Sequence, residues 1–509
     1  MSLDINFELS TTIPVMAWLA EYEPGSQRLN VTHGAKVETT PTGLVEGAWN
    51  GDFDQFDFHR SSIFCGTGFR HHNGKLYFCS STDRLCPLFS IRHNGSLYFS
   101  NSPSYLMVAT GNCPIPSYPY YHYSILRIFR QGLHCLDGTL PLAEKKALHM
   151  HFSAIVAVSD SGEIHPRAFS AGPCPDDFDS YHTLLKKSVR EVMENAGDQH
   201  RKLPLETAVA ISSGYDSTAC AAVAKEAGCK IAHTFFDSHA DDPQEDSGVE
   251  IAHTLGMVCR EFDRWKYMES TQAPEAEFGF FPLNSNVPMT AMENALSGML
   301  YINGSSGDTY WKDGSQRETH HHAQAWSSGM TGISQLEFRL RVGYITLTPA
   351  YVAARHTDAM RRIITSAEMK PWSVGGKYDR PLPRRIAESG GVPREMFGIR
   401  KIGTAHASLT KARYFSKSGI TSFTAFKKQM HYRAGWLRTH GYHLIYSLHY
   451  FLEYRLLKRK QRIVPSSPSQ RRFPFLLNNP PFKCPYQFTF AFQWAFEELK
   501  ERYVATTRE

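Results

Sequence analysis

The sequence lacks the features that would place it in a membrane, secreted or zinc-binding class. Its 10 cysteines are scattered over 509 residues, with no CxxC pair and no zinc-ligand spacing. The first residues contain no basic segment followed by an apolar run, and the apolar stretch 442–457 is too short and too charged to span a bilayer. We therefore predict a reduced, cytoplasmic protein with no membrane span.

The excess of positive over negative side chains is also small. The formal net charge is +6, and 42% of the residues are hydrophobic while 20% are charged. This composition is typical of a globular protein, and so mild a charge does not predict a nucleic-acid partner. We predict no nucleic-acid binding, although a slightly basic protein suits a site that handles phosphates.

The first of three predicted parts is a mainly antiparallel β-sheet domain over residues 1–170. Short apolar runs such as Lys75 to Ser80 and Ser96 to Ser100 follow Asn-Gly pairs at 73–74 and 94–95. Asn-Gly between such runs is a strong signal for a β-hairpin. A cluster of Pro, Gly and Asp at 172–177 marks the predicted end of this domain.

The second part, residues 176–405, changes to an alternation of strands and helices. A helix is predicted from about 181 to 196, a strand at 208–211, a helix at 218–227, and strands at 231–236 and 299–302. This order indicates a doubly wound parallel α/β sheet. The third part, 406–509, is predicted to be a mostly helical, basic extension with a helix near 440–457.

A loop rich in serine joins the predicted strand 208–211 to its helix. Phosphates bind well at such a strand-to-helix turn because backbone N–H groups are free there. Gly214 allows close approach of the backbone, and Asp216 makes physical sense beside phosphates if it holds Mg²⁺. The loop is neither a Walker loop nor a GxGxxG turn. The alternative is an ordinary turn whose aspartate caps the helix.

This loop resembles the SGGxDS signature of the ATP-pyrophosphatase domain in asparagine synthetases and their relatives. Ser213 stands where that family has the first glycine of the pair. The resemblance implies that ATP and pyrophosphate bind to Ser212, Ser213, Gly214, Tyr215, Asp216 and Ser217.

A second small-residue turn follows the apolar strand at 299–302. Gly304, Ser305 and Asp308 resemble the family's SGxGxDE signature, with Thr309 in place of the usual glutamate. The resemblance implies that Gly304 and Ser305 bind the nucleotide and that Asp308 binds Mg²⁺ together with Asp216. The alternative is a Gly-Asp turn that only redirects the chain.

Further residues are implied by the same resemblance. The strand 231–236 would line the adenine, which makes Phe235 and Phe236 its predicted neighbours. Lys377, Arg380 and Lys401 lie in basic stretches that resemble the family's late motifs, and preorganised cations stabilise departing pyrophosphate. The alternative for these cations is a solvated basic face.

The first domain resembles the family's glutaminase-type N-terminal sandwich, of the Ntn-like class, through Asp83 to Phe89 and Gly95 to Asn101. That activity needs a cysteine as the mature first residue, whose own amine serves as base. Position 2 is Ser2 and the first cysteine is Cys65. We therefore predict an inactive, glutaminase-like scaffold.

The resulting hypothesis is an asparagine-synthetase-like amide ligase, related to β-lactam synthetase and lasso-peptide cyclase. Its domains would be an Ntn-like sandwich and a HUP-like ATP-pyrophosphatase unit, with ATP and Mg²⁺ as cofactors. The partners would be a small-molecule or peptide carboxylate and an amine or ammonia. The sequence does not decide whether the chain forms a homodimer or binds a partner protein. It also leaves the substrates and the role of the extension open. The rivals are another adenylating pyrophosphatase-loop enzyme and a degenerate nucleotide-binding scaffold.

Overall fold

The fold is mixed α/β, with two sheets of mainly antiparallel strands, one parallel sheet and surrounding helices. The computed structural model describes residues 3–118, 121–129, 135–282, 285–312, 332–376, 378–400, 402–403, 405–407, 409, 412–434 and 490–504.

In the described part of the chain, thirteen strands between Asp4 and Ala168 form two sheets. Their strands are β1 (Asp4–Leu9), β2 (Trp18–Glu23), β3 (Arg28–His33), β4 (Glu38–Thr40), β5 (Gly43–Trp49), β6 (Phe64–His72), β7 (Lys75–Cys79), β8 (Leu88–His93), β9 (Ser96–Ser100), β10 (Asp137–Pro141), β11 (Ala147–His151), β12 (Ala154–Val158) and β13 (Ile164–Ala168). One sheet has the order β1-β3-β2-β9-β8-β11-β10 and the other β13-β12-β7-β6-β5-β4. All pairs are antiparallel except the parallel pair β1 and β3.

The two sheets pack face to face around a shared apolar core. The rings of Phe78 and Phe99, one from each sheet, stack with centroids 3.9 Å apart. Both residues of each Asn-Gly pair have positive φ, which a type I′ hairpin turn requires. The predicted strands and hairpins at 75–80 and 96–100 are therefore confirmed, and the predicted antiparallel architecture holds apart from the parallel β1–β3 pair.

The parallel sheet has five strands. They are β14 (Glu206–Ala210), β15 (Ile231–Phe236), β16 (Val258–Asp263), β17 (Met299–Ile302) and β18 (Ile345–Leu347), in the order β16-β15-β14-β17-β18. The predicted strands 231–236 and 299–302 are confirmed at those bounds. Because β14 lies between β15 and β17, the loops that leave these three strands meet at one edge of the sheet.

Twelve α-helices are found in the described parts of the chain. They are α1 (Pro103–Ala109), α2 (Tyr121–Phe129), α3 (Phe178–Ala196), α4 (Tyr215–Glu226), α5 (Val249–Thr254), α6 (Glu293–Leu296), α7 (Gly307–Tyr310), α8 (Leu336–Val342), α9 (Thr357–Thr365), α10 (Pro381–Ser389), α11 (Lys417–Ala434) and α12 (Ala491–Leu499). In those same segments, every helix is too short or too polar to cross a lipid bilayer.

Two helices begin three residues earlier than the sequence pattern predicts. Helix α3 begins at Phe178 because the Asp177 side chain accepts a hydrogen bond from the Ser180 N–H and caps it. Helix α4 begins at Tyr215 rather than Thr218, so Asp216 and Ser217 lie in its first turn. The N–H groups of a first turn have no partner within their own helix.

The C-terminal helices pack into cores formed by earlier parts of the chain. The Phe492 ring on α12 stacks on Tyr121, with centroids 4.5 Å apart, and meets the edge of Phe280. The predicted helix at 440–457 and the basic linker lie outside the described residues. The boundaries at 170, 176 and 405 stay predictions.

A buried ion pair joins the sandwich to the parallel-sheet region. Two nitrogens of Arg339 on α8 donate to the carboxylate of Glu46 on β5, at 2.6 and 3.0 Å. Thr67 and Asn101 also donate to Glu46, so this carboxylate is well supplied with donors. A buried charge pair is tolerated when its hydrogen bonds are made in this way.

Candidate functional site

A cavity of about 460 Å³ opens at the carboxyl edge of the parallel sheet. This volume lies within the range of small-molecule sites in proteins. Nine of the predicted site residues line the cavity, namely Ser212, Gly214, Tyr215, Asp216, Ser217, Phe235, Gly304, Ser305 and Asp308. Ser213, Phe236 and Arg380 are not among the lining residues, and Lys377 and Lys401 lie outside the described residues.

The serine loop is held in shape by its own hydroxyl groups. The hydroxyls of Ser212 and Ser217 lie 2.8 Å apart, and Ser212 also accepts a hydrogen bond from the Gly214 N–H at 3.2 Å. Thr218 donates to the Gly214 carbonyl oxygen at 2.8 Å. The loop therefore presents small polar groups to the cavity from the start of α4, where the helix dipole favours an anion.

Tyr215 anchors the loop to the core. Its side chain is fully buried between the rings of Tyr378 and Phe397, with the Arg384 guanidinium 4.9 Å from its ring centre. Arg384 also donates a hydrogen bond to its hydroxyl group. A Cβ at Gly398 would overlap the Tyr215 ring at 2.3 Å, so this position accommodates only glycine. Tyr215 thus serves the site mainly by positioning the loop.

The second loop, after β17, packs directly against the first. A Cβ on Gly304 would lie 2.8 Å from the carbonyl carbon of Asp216, and one on Gly307 would lie 2.5 Å from its carboxyl carbon. Real side chains do not tolerate such distances, so glycine is needed at both positions. This close packing brings the Asp216 carboxylate beside Gly307, the residue before Asp308.

The second loop is shaped by Asn303 and Ser306. The Asn303 side chain accepts a hydrogen bond from the Ser305 N–H at 2.9 Å. Ser306 adopts a left-handed conformation, with φ of 65°, immediately before α7. Positive φ is uncommon for serine and is often found where a functional site constrains the backbone.

Arg380 lies behind the two loops and is 5% exposed. Its guanidinium donates to the Gly307 carbonyl oxygen at 3.2 Å and lies 3.8 Å from the Asp216 carboxylate. Among the three predicted cations it is the one within the described residues. The structure places its charge next to both acid-bearing loops.

Ser213 is not among the cavity-lining residues, and it ties the loop to its surroundings. Its hydroxyl group donates to Asp246 at 3.0 Å, and its carbonyl oxygen accepts from the Gly398 N–H at 2.8 Å. Asp246, in the acidic segment after β15, is 7% exposed and lines the cavity. The serine side chain is therefore accommodated at this position through a hydrogen bond.

One end of the cavity lies over the sheet, and except for Phe235 its lining was not predicted from the sequence. We call it the neutral end; its lining residues are Ala210, His233, Phe235, Met289, Tyr301 and Gln335. Burial, with a smaller effect from Arg260, lowers the pKa of His233 to about 4, so its imidazole is uncharged at neutral pH. The strand period of two could have revealed His233, because it shares a sheet face with the predicted Phe235.

Tyr378 closes the cavity near the serine loop. Burial and the nearby Asp216 carboxylate raise the pKa of its hydroxyl group to about 12. The tyrosine is thus held protonated and is a hydrogen-bond donor rather than a base at neutral pH.

The donor set on the two loops fits a hard cation. Asp216 and Asp308 offer carboxylate oxygens to the same cavity, and serine hydroxyl groups flank them. Oxygen ligands of this kind suit Mg²⁺, which binds through one or two carboxylates and substrate phosphates.

Searches against protein-family models and curated proteins give no match.

Proposed function

We propose that this chain is an ATP-dependent amide ligase that forms AMP and pyrophosphate. The observation that carries the proposal is the contact between the two loops, in which Gly304 and Gly307 pack against Asp216 and bring two acidic residues to one cavity. The first turn of α4 and the serine hydroxyl groups on one loop, with Arg380 behind it, suit a polyphosphate held by Mg²⁺.

The proposed reaction has two balanced steps. A carboxylate oxygen of the substrate attacks the α-phosphorus of ATP, and the bond to the β-phosphate oxygen breaks to release pyrophosphate. An amine nitrogen then attacks the acyl carbon, the bond to the AMP oxygen breaks, and the nitrogen loses a proton to solvent. Bound Mg²⁺ would neutralise phosphate charge in the first step.

The chain's own residues would position the reactants and compensate charge. The N–H groups at the start of α4, with Ser212, Gly214 and Ser217, would hold the pyrophosphate, while Asp216 and Asp308 would hold the metal. Arg380 would stabilise the charge that develops on the leaving group. No covalent enzyme intermediate is required, because orientation and preorganised charge lower the barrier.

The order of architectures agrees with the resemblance to asparagine synthetases. We propose that the two-sheet sandwich is an Ntn-like, glutaminase-like domain, that the parallel sheet belongs to a doubly wound, HUP-like ATP-pyrophosphatase domain, and that 406–509 is an extension. The described cysteines are free thiols, which suits the reducing cytoplasm.

We further propose that the amine is free ammonia, an amine of another molecule or an amine of the same substrate, rather than ammonia released by the sandwich. Burial raises the pKa of the Cys65 and Cys79 thiols in the sandwich, and burial also raises that of Cys86 to about 12. Such thiols stay protonated, and a protonated thiol is a poor nucleophile. This supports a sandwich that retains its shape without glutaminase chemistry.

The decisive experiment screens pools of carboxylates with Mg-ATP and the full-length protein. Amino acids, peptides, sugar acids and natural-product acids are compared by release of AMP and pyrophosphate. We expect AMP rather than ADP with one pool, and transfer of a heavy-oxygen label from the carboxylate to AMP. Transfer from a carbonyl-type oxygen instead would favour another adenylating enzyme.

The matched variants are Asp216→Asn, within the proposed site, and Asp241→Asn, on an exposed loop beside it. We expect the first to abolish AMP release and the second to retain it. Failure of the wild type to bind Mg-ATP or to release AMP with any pool would favour the scaffold interpretation.

A further inference from the structure

The cavity is divided by charge. Asp216, Asp246 and Asp308 line the end formed by the loops, whereas the neutral end lies over the sheet itself. A ligand that fits both ends has a charged portion and an uncharged portion. This division, together with the proposed function on which the inference rests, defines what each end must bind.

His233 is the most unusual member of the neutral end. It is 1% exposed, and neither ring nitrogen has a hydrogen-bond partner among the residues that the structure describes. Its ring contacts Phe262 and Tyr301, with centroids 5.4 and 5.9 Å away. A buried polar group without a partner is costly, and leaving one in a cavity suggests that a ligand supplies the missing hydrogen bond.

Tyr301, on the other side of the central strand, is buried with a weak hydrogen-bond acceptor. It is 3% exposed, and its hydroxyl group donates to the thioether sulfur of Met292 at 3.7 Å, which is a weak acceptor. Ala210 pairs with His233 and Ala208 pairs with Tyr301 in the parallel sheet. The small alanine side chains on β14 leave space beside these two rings.

The neighbouring amides each make at least one hydrogen bond to the protein. The Gln335 side-chain oxygen accepts from the Tyr344 hydroxyl group at 2.6 Å. The Asn286 amide nitrogen donates to the Ala405 carbonyl oxygen at 3.2 Å. His233 differs from both amides because neither of its ring nitrogens has a hydrogen-bond partner among the residues that the structure describes.

We propose that His233 hydrogen-bonds the polar edge of the nucleotide base. The resemblance to asparagine synthetases already implies that the base lies beside the strand of Phe235, and Ala210 lines the same part of the cavity. A nucleotide whose phosphates lie against the serine loop has its uncharged, planar portion at its other end. A neutral imidazole offers one donor and one acceptor, which complement the mixed donor and acceptor edge of a purine. The substrate carboxylate, in contrast, must approach the α-phosphorus at the charged end.

Binding of three ligands in the presence of Mg²⁺ tests this assignment. They are ATP, purine riboside triphosphate, which lacks the exocyclic amino group, and pyrophosphate, which lacks a base. Wild-type protein is expected to bind ATP about tenfold more tightly than the purine analogue, as one buried hydrogen bond commonly contributes.

His233→Phe is expected to bind ATP and the analogue equally, with unchanged affinity for pyrophosphate. His233→Leu should behave in the same way, and His233→Gln, which keeps a donor and an acceptor, should restore part of the preference for ATP. His253→Phe, on the exposed surface of α5, is the matched control and should behave as wild type.

Several outcomes would overturn the inference. A wild type without preference between ATP and the analogue would do so, and so would a His233→Phe variant that keeps the preference. Equal weakening of all three ligands, or an altered choice of carboxylate with unaltered ATP affinity, would also contradict it. Failure of the wild type to bind ATP and pyrophosphate at all would instead contradict the proposed function.

Discussion

The Arg380 guanidinium lies 3.8 Å from the Asp216 carboxylate and donates a hydrogen bond to the Gly307 carbonyl oxygen. One buried cation thus contacts both loops that carry the proposed metal-binding acids. The planar guanidinium group has several N–H donors and can contact both loops at once. The single ammonium group of lysine does this less well. We therefore expect Arg380 to fix the relative position of the loops as well as their charge.

Replacing Arg380 separates these two contributions. Arg380→Lys keeps the charge and should lower the rate of AMP release about tenfold, whereas Arg380→Met should lower it by about a hundredfold or more, because preorganised charge is lost. Pyrophosphate affinity should fall in the same order. Arg362→Met, on the exposed side of α9, is the control. An Arg380→Met variant with the wild-type rate would remove Arg380 from the mechanism.

The contact between the loops is tested by Gly307→Ala. The added Cβ would lie 2.5 Å from the carboxyl carbon of Asp216 and must displace that side chain. We expect at least about a tenfold loss of AMP release, since small displacements of positioned groups are costly in catalysis. Gly25→Ala adds a methyl group where no atom lies within 4 Å, and it should leave the rate unchanged. Equal effects of the two substitutions would contradict the assigned role of Gly307.

Much of the site could be predicted because it lies where local sequence rules apply. Strand-to-helix turns, small residues and acids are readable in one dimension, and nine of the predicted residues line one cavity. The pattern also indicated the strands at 231–236 and 299–302. Local sequence rules predict the first turn of a helix poorly. For this reason the predicted start of α4, Thr218, differs from the observed start, Tyr215.

Other parts of the site depend on packing between distant segments. The need for glycine at 307 arises from Asp216, some ninety residues earlier, and no local pattern reveals it. Asp246 was not among the predicted site residues, but it accepts a hydrogen bond from Ser213 and lines the cavity. Phe236 is the last residue of the predicted strand but is not among the lining residues, because alternate strand residues face opposite sides of the sheet.

The buried Glu46–Arg339 pair gives a stability prediction. Arg339→Met should lower the free energy of unfolding by about 3–5 kcal/mol, because it leaves the Glu46 carboxylate buried without its counter-ion. Adding Glu46→Gln should recover part of this loss. Urea unfolding of the two single variants and the double variant measures the coupling. Additive losses in the double variant would show that the two side chains do not depend on each other.

The last prediction concerns pH and Asp83, a carboxyl group in the sandwich that is 3% exposed. Burial raises its pKa to about 6, despite hydrogen bonds donated by the Ser81 hydroxyl group and the Leu85 N–H. The folded state therefore holds the proton more tightly than the unfolded state does. The stability that this group contributes is complete below about pH 4, the usual aspartate pKa, and is lost as the pH rises through about 6.

Asp83→Asn removes this titration while keeping the size of the side chain and an oxygen acceptor for both donors. Relative to wild type, the variant should gain about 3 kcal/mol of stability between about pH 4 and pH 7, since two pKa units correspond to that free energy. The readout is the difference in unfolding free energy at each pH, which cancels titrations common to both proteins. The exposed control Asp160→Asn should follow wild type throughout. A constant difference between Asp83→Asn and wild type would show that Asp83 does not titrate in this range, and the burial argument for its pKa would then be wrong.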